Sequence, residues 1–301
     1  MPAATVVCPT FDHGPTLRYS LASALAQTVS DIELFVVGDG VPEVTREIVA
    51  EFARNDERVR FFDNPKGERH GEAHRRQAIE EARSDRILYL SDDDLWLPDH
   101  VRTLLGALES SDWAHTIPAW VVPEGEMGVN IVDLADSHYR DRMLHDDFPP
   151  SPGLSQTGHT RELYDALPEG WRPAPAGVPT DLYMWRQILS LPWVRPRSVP
   201  AFTVLGLPSP ARRGWDAERR ADELAGWAAE LSAPEGRLAL ERRVLATFAQ
   251  RAAWEDKHAT LARHALEEEL ARERERANQA SERGLVRAVA RRVAASRSRR
   301  V

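Results

Sequence analysis

Short apolar strands alternate with helices of about ten residues through the first hundred positions, and this alternation leaves the chain few folds to choose from. Thr5–Val7 is apolar and β-branched, and the turn Asp12-His13-Gly14-Pro15 follows it. Leu17, Leu21, Ala24 and Leu25 then recur at helical spacing. Glu33–Val37 predicts a second strand ending at Gly38-Asp39-Gly40, and Val59–Phe62 a third. Ile87–Leu90 predicts a fourth, ending at Ser91-Asp92-Asp93-Asp94. Helices are expected from Pro42 to Phe52 and from Arg75 to Ala82, with another restarting at Leu95-Trp96-Leu97-Pro98-Asp99. Such a pattern implies a mainly parallel sheet covered by helices on both faces. Sheets of this kind bind ligands beyond the carboxyl ends of their strands. Thr10, Asp12, Asp39 and the run Asp92 to Asp94 all fall at those ends.

Composition narrows the function classes. With 42% hydrophobic and 29% charged residues, the chain reads as globular. No apolar run reaches the ~18 residues needed to cross a bilayer. The start, MPAATVVCPTF, lacks the basic and long apolar regions of a signal peptide. Cys8 is the single cysteine, so no internal disulfide forms, and a cytoplasmic setting is expected. Residues 281–301 hold seven arginines against one acid, Glu282, so of the net −8 they carry +6 and leave −14 elsewhere. An acidic body argues against nucleic acid as a partner. The basic tail, with Leu285, Val289 and Val293 at helical spacing, suits peripheral contact with an anionic inner-membrane surface, and equally a solvated cationic helix or a frayed end.

Organisation shifts twice along the chain. Between Pro149 and Pro210 lie 12 of the 21 prolines, which predicts loops around short elements. After 210 only Pro234 remains and Ala, Leu, Glu and Arg dominate, which is helical composition. Three regions are therefore expected: 1–110, 111–210 and a helical 211–301. Three adjacent carboxylates after a strand are either a solvated turn or, at the sheet's carboxyl edge, hard oxygen ligands for a divalent cation.

These residues carry a resemblance. Val6-Val7-Cys8-Pro9-Thr10-Phe11-Asp12, Ser23-Ala24-Leu25-Ala26-Gln27-Thr28, Asp31 through Gly40, Arg75 through Leu90 and Ser91-Asp92-Asp93-Asp94-Leu95-Trp96-Leu97-Pro98-Asp99 stand in the order and spacing of a family-2 glycosyltransferase. The sequence resembles that family over about residues 5–110. The departures are Asp12 for an asparagine, Gly38 and Ser91 for acids, Val41 for a serine and Arg76 for an asparagine.

The resemblance implies an α/β GT-A fold with a Rossmann-like, mixed, mainly parallel sheet and, here, a C-terminal helical appendage. It implies an inverting enzyme that moves a sugar from a nucleotide-diphosphate sugar, a UDP-sugar foremost, to an acceptor hydroxyl on a saccharide, lipid-linked or small molecule. Pro9, Thr10, Phe11, Asp12, Asp39, Arg75 and Asp92 would bind the donor, Asp93 with Asp94 beside it would hold Mn2+ or Mg2+, and Asp181, early in an expected helix, would be the general base. His159 and Trp185 are expected on the acceptor side; Trp120, Trp171, Trp185 and Trp193 could stack on sugar rings, although core packing is the better expectation for any one of them. The alternatives are a sugar nucleotidyltransferase and a non-catalytic nucleotide-sugar-binding scaffold; a homo-oligomer is compatible with all of them.

Overall fold

A computed structural model describes residues 1–129, 131–147 and 149–297, with side chains as far as 276. The chain divides into two compact units, Met1–Thr247 and Phe248–Val301. The first begins as the alternation predicts: β1 (Ala4–Thr10), α1 (Gly14–Leu25), β2 (Ile32–Asp39), α2 (Glu43–Asn55), β3 (Val59–Asn64), α3 (Glu72–Glu80) and β4 (Arg86–Tyr89). β5 (Leu95–Trp96), α4 (His100–Leu108), β6 (Trp113–Val121), β7 (Met127–Val129), α5 (Ser137–His145), β8 (Thr157–Thr160) and α6 (Arg161–Asp165) follow. The order closes with α7 (Thr180–Leu189), β9 (Pro196–Gly206), α8 (Ala217–Ser232) and α9 (Pro234–Arg297).

Among the described residues, nine strands form one sheet in the order β3-β2-β1-β4-β8-β6-β9-β5, with β7 beside β6. The first four are parallel, while β8 runs antiparallel to both β4 and β6. Alternate residues serve opposite faces, as the pleat requires. Val7, Phe35, Ile87 and Tyr89 join Trp113, Trp171 and Trp185 in one core, while Val6, Cys8, Leu34 and Leu88 meet Leu17, Leu21 and Leu104 in the other. Cys8 is fully buried, and burial raises its thiol pKa.

Three expectations are revised. Residues 95–99 do not reopen a helix at once: Leu95 and Trp96 pair with β9, the Leu97 N–H donates to the Thr203 carbonyl, and the helix waits for His100. The proline-rich stretch nonetheless holds the eleven-residue strand β9. Its parallel register with β6 slips between Thr116 and Pro118, and Pro200 falls in the slip, where a missing N–H costs no ladder bond. The helical region expected from 211 is shared between the units, because α8 buries Ala221 and Leu224 and packs on α1, while Leu240 and Val244 of α9 are also buried. The second unit is helical through Arg297. The side chains of the basic tail, 281–301, lie outside the described residues. Among the described residues, no helix is long and apolar enough to cross a membrane.

Candidate active site

The acidic run leaves the carboxyl end of β4, and its three carboxylates part company. Asp92 Oδ1 lies 3.1 Å from His13 Nδ1, and the Thr16 hydroxyl donates to the Asp92 carbonyl at 2.8 Å. Asp93 Oδ2 accepts from the Ser209 hydroxyl at 2.7 Å and lies 4.0 Å from His13 Nδ1. Burial, with Asp92 adding its repulsion, raises the Asp93 pKa. His13, Asp92 and Asp93 each bring one ligand atom within 4.8 Å of the others. Asp94, expected as a ligand, stands outside this cluster. It accepts from the Ser155 hydroxyl at 2.5 Å and from the Leu207 N–H at 3.0 Å. Ser155 in turn accepts from the Ser91 N–H at 2.8 Å, so Asp94 fastens the turn rather than facing the cluster. Burial and Asp93 push the Asp94 pKa up to about 7.

Arg220 reaches the same cluster from α8. Its Nη1 lies 3.0 Å from His13 Nε2 and donates to Ser209 at 3.1 Å. Asp92 favours the imidazolium and raises the His13 pKa to about 9, whereas a donating Arg220 needs the Nε2 lone pair of a neutral ring. The two contacts compete for the protonation state of His13.

A second group gathers at the ends of β1 and β2. Asp39, 5% exposed, accepts from Lys66 Nζ and the Gly67 N–H, both at 2.6 Å. The same ammonium lies 5.2 Å from the ring centre of the exposed Phe11. Thr10 is buried with no hydrogen-bond partner for its hydroxyl among the described residues, Pro9 is half-buried and Asp12 is exposed. Gly71 caps α3 in the left-handed region at φ 66°, and a Cβ there would stand 2.5 Å from the Asp39 carboxyl carbon. Only glycine serves there.

Between these groups, the starts of α3 and α7 meet. Glu72, fully buried, accepts from the His70 N–H at 3.1 Å and from the Thr180 hydroxyl at 3.0 Å. Arg75, 6% exposed, donates through Nη2 to the His70 carbonyl and lies 4.8 Å over the Trp171 ring. Its Nε and Nη1 have no partner among the described residues. Asp181 stands in the first turn of α7. Burial raises its pKa, against the opposing pull of Arg75 and His70.

His159 and Trp185 belong instead to the core. β8 lies inside the sheet, and His159 is fully buried with Nε2 on the Tyr89 hydroxyl at 2.6 Å and Nδ1 on the Thr160 carbonyl at 2.9 Å. Trp185, also fully buried, donates to the Pro152 carbonyl and stacks on Trp113. Trp171 is likewise 1% exposed. His13, Lys66, Glu72, Ser155, Ser209 and Arg220 were not predicted. His13 had a sequence signal in its place in the turn after β1, Glu72 in the segment His70-Gly71-Glu72-Ala73-His74, and Ser155 in the stretch before His159.

The family model for glycosyl transferase family 2 matches residues 5–160, just over half of the chain. The chain belongs to that family. Among curated relatives, a Campylobacter jejuni protein named GalNAc(5)-diNAcBac-PP-undecaprenol beta-1,3-glucosyltransferase is 26% identical over 105 residues, 35% of this chain and 34% of that protein. The succinoglycan biosynthesis protein ExoW of Rhizobium meliloti is 35% identical over 112 residues, 36% of this chain and 34% of ExoW. The chain thus spans about a third of the length of these relatives. Among solved structures, S. aureus TarS 1-349 in complex with UDP-GlcNAc superposes with a TM-score of 0.56 at 16% identity, covering 72% of this chain and 61% of that one. A Pyrobaculum calidifontis mannosyltransferase in complex with GDP-Man and Mn2+ gives 0.50 at 17% identity, with coverages of 76% and 62%. This family likeness carries the GT-A fold: a mixed sheet, parallel over its first four strands and flanked by helices.

Proposed function

We propose that this family-2 chain transfers a sugar from a nucleotide-diphosphate sugar to an acceptor hydroxyl with inversion at the anomeric carbon. The observation that carries the reading is the convergence of His13, Asp92 and Asp93 on one point beyond the carboxyl ends of β1 and β4, with Asp39 at the same end of the adjacent β2. Phe11 and Asp39 suit the nucleoside, a UDP-sugar foremost, with Lys66 on the Asp39 carboxylate. Arg75, with two buried N–H groups unpartnered, suits the anionic part of the donor.

The cluster fits a divalent cation. Asp93 is buried beside Asp92, a repulsion that a cation relieves, and one imidazole with two carboxylates suits Mn2+ better than the all-oxygen preference of Mg2+. Such an ion, when bound, offsets charge growing on the diphosphate. Asp181 takes the proton of the acceptor hydroxyl as its oxygen bonds to the anomeric carbon and the bond to the diphosphate breaks. Burial raises the basicity of its carboxylate, which suits this role.

The acceptor is a saccharide, a lipid-linked saccharide or a small-molecule hydroxyl. The named activity of the Campylobacter relative favours the lipid-linked class, and the arginine-rich tail suits contact with the membrane that holds it. Thermal stabilisation by UDP-, dTDP- and GDP-sugars with and without Mn2+, followed by assay of sugar release, tests the reading. Stabilisation without any turnover supports a binding scaffold instead.

A further inference from the structure

We propose that α8 is part of the donor site and that Arg220 is a direct ligand of the donor's diphosphate. The inference rests on the donor reading above and adds to it a residue from beyond the matched span of 5–160.

Arg220 completes a ring of polar contacts around the cation cluster. Asp93 accepts from Ser209 at 2.7 Å, Ser209 accepts from Arg220 at 3.1 Å, Arg220 reaches His13 at 3.0 Å, and His13 meets Asp92 at 3.1 Å. The guanidinium therefore borders the cluster, one hydroxyl away from Asp93.

Its partners differ from those of several other arginines. Arg212 ends in a bidentate pair with Glu223, Arg195 in one with Asp112, and Arg58 on Asp56. Arg220 forms no ion pair among the described residues: its contacts are a hydroxyl, an imidazole nitrogen and the Arg212 carbonyl at 3.1 Å. The hydroxyl and the carbonyl hold it without a direct carboxylate partner, and its contact with His13, which needs a free Nε2 lone pair, gives way when that ring takes a cation, leaving N–H groups for an anion.

The placement is built into the fold. Arg212, 2% exposed, grips Glu223 of α8 and donates to the Val121 carbonyl at 3.0 Å, which locks the approach to α8 onto β6. Asp216 caps the helix by accepting from the Arg219 N–H at 2.8 Å, and Ala221, the next residue after Arg220, is buried. Electrostatics gives the placement a purpose. Two carboxylates would offset the charge of a bound cation, so the attraction for a diphosphate would fall to the guanidinium groups, Arg75 from α3 and Arg220 from α8. The diphosphate's charge grows as the sugar leaves, so a fixed guanidinium acts most strongly when it is most needed.

The test uses the full chain with Mn2+ held constant. The probe is whichever of UDP, dTDP and GDP binds the wild-type protein, compared with its own nucleoside by calorimetry and by NMR. Arg220→Gln should weaken the diphosphate about ten- to a hundredfold and leave the nucleoside unchanged. Arg220→Lys should retain part of the affinity, and Arg219→Gln, which removes the adjacent charge, should retain all of it. Wild-type affinity in Arg220→Gln overturns the proposal. So does an equal loss of nucleoside, or equal losses in the Gln and Lys variants when both melt like wild type. If the wild-type chain binds none of the three diphosphates, the donor reading itself fails and this inference falls with it.

Discussion

Glu72 and Thr180 stand 108 residues apart in the chain, yet a 3.0 Å hydrogen bond joins their side chains and ties the start of α3 to the start of α7. Glu72 is fully buried and Thr180 half-buried, so the bond is partly shielded from water and fixes α7, with Asp181, relative to α3. Thr180→Val should lower stability by about 1–2 kcal/mol, since it removes one bond to a buried carboxylate. Urea unfolding at pH 7 reads this, and an unchanged midpoint would mean that the contact fastens nothing.

Asp93→Asn should abolish the response of nucleotide binding to Mn2+ while leaving the fold intact. Ionised Asp93 is disfavoured by burial and by Asp92, so its removal relieves repulsion. The melting temperature in metal-free buffer should hold or rise. A clear fall would identify Asp93 as a structural residue.

Asp181→Asn should separate chemistry from donor binding. An amide keeps the size but takes no proton, and general-base assistance contributes about 10²–10⁴-fold. Sugar transfer should fall by that factor with donor affinity unchanged. Transfer at the wild-type rate would move the base to Asp165 or to the acids between 133 and 147.

The alternation of strand and helix made the first four strands and the acidic edge legible, because a strand's apolar run and its polar end are local properties. The rest of the site was not local. Ser209 reaches Asp93 across 116 positions and Arg220 reaches His13 across 207, and no spacing pattern marks either. His159 and Trp185 failed as acceptor residues for a related reason. Their burial depends on β8 lying inside the sheet and on Trp113 stacking opposite, and a lone polar or aromatic residue does not disclose its neighbours. β9 was hidden by its prolines, which the slipped register with β6 absorbs.

Mild acid sets two groups of buried residues against each other: the carboxyls of Asp93, Asp94 and Asp181, whose pKa values burial raises, take up protons in the fold and favour it, while three histidines oppose it. Burial holds the pKa of His100 down at about 3 and those of His115 and His159 at about 4, from 6.5. These rings stay neutral in the fold but take up protons when unfolded, so their share of stability is lost as pH falls from 6.5 towards 4. At pH 5 each costs about 2 kcal/mol. Unfolding curves of the wild type and of His159→Gln at pH 7, 6 and 5 isolate one ring's share, and the variant should lose less stability than the wild type between pH 7 and 5. An identical pH dependence in the two would contradict a neutral, buried His159.

Deleting residues 281–301 should reduce binding to anionic vesicles, because seven arginines go with them. Vesicle co-sedimentation at rising salt checks this, since screening shortens the reach of surface charge to about 8 Å at physiological ionic strength. Equal binding by both forms would assign the tail to solvent.

The double anchor of Asp94 has a consequence for how the chain is made. Its two partners, Ser155 and Leu207, lie 61 and 113 residues further on, and Ser209 and Arg220 come later still. As the chain leaves the ribosome, β1 to β4 can pair well before anything exists to hold the acidic turn or to screen its charge. Contacts this distant in sequence form late and slowly. A nascent chain therefore carries a loose, self-repelling turn, and the proposed cation seat is complete only when β9 and α8 have been synthesised. Premature termination before residue 207 should yield a product that is inert towards nucleotide sugars rather than a weakly active half-enzyme.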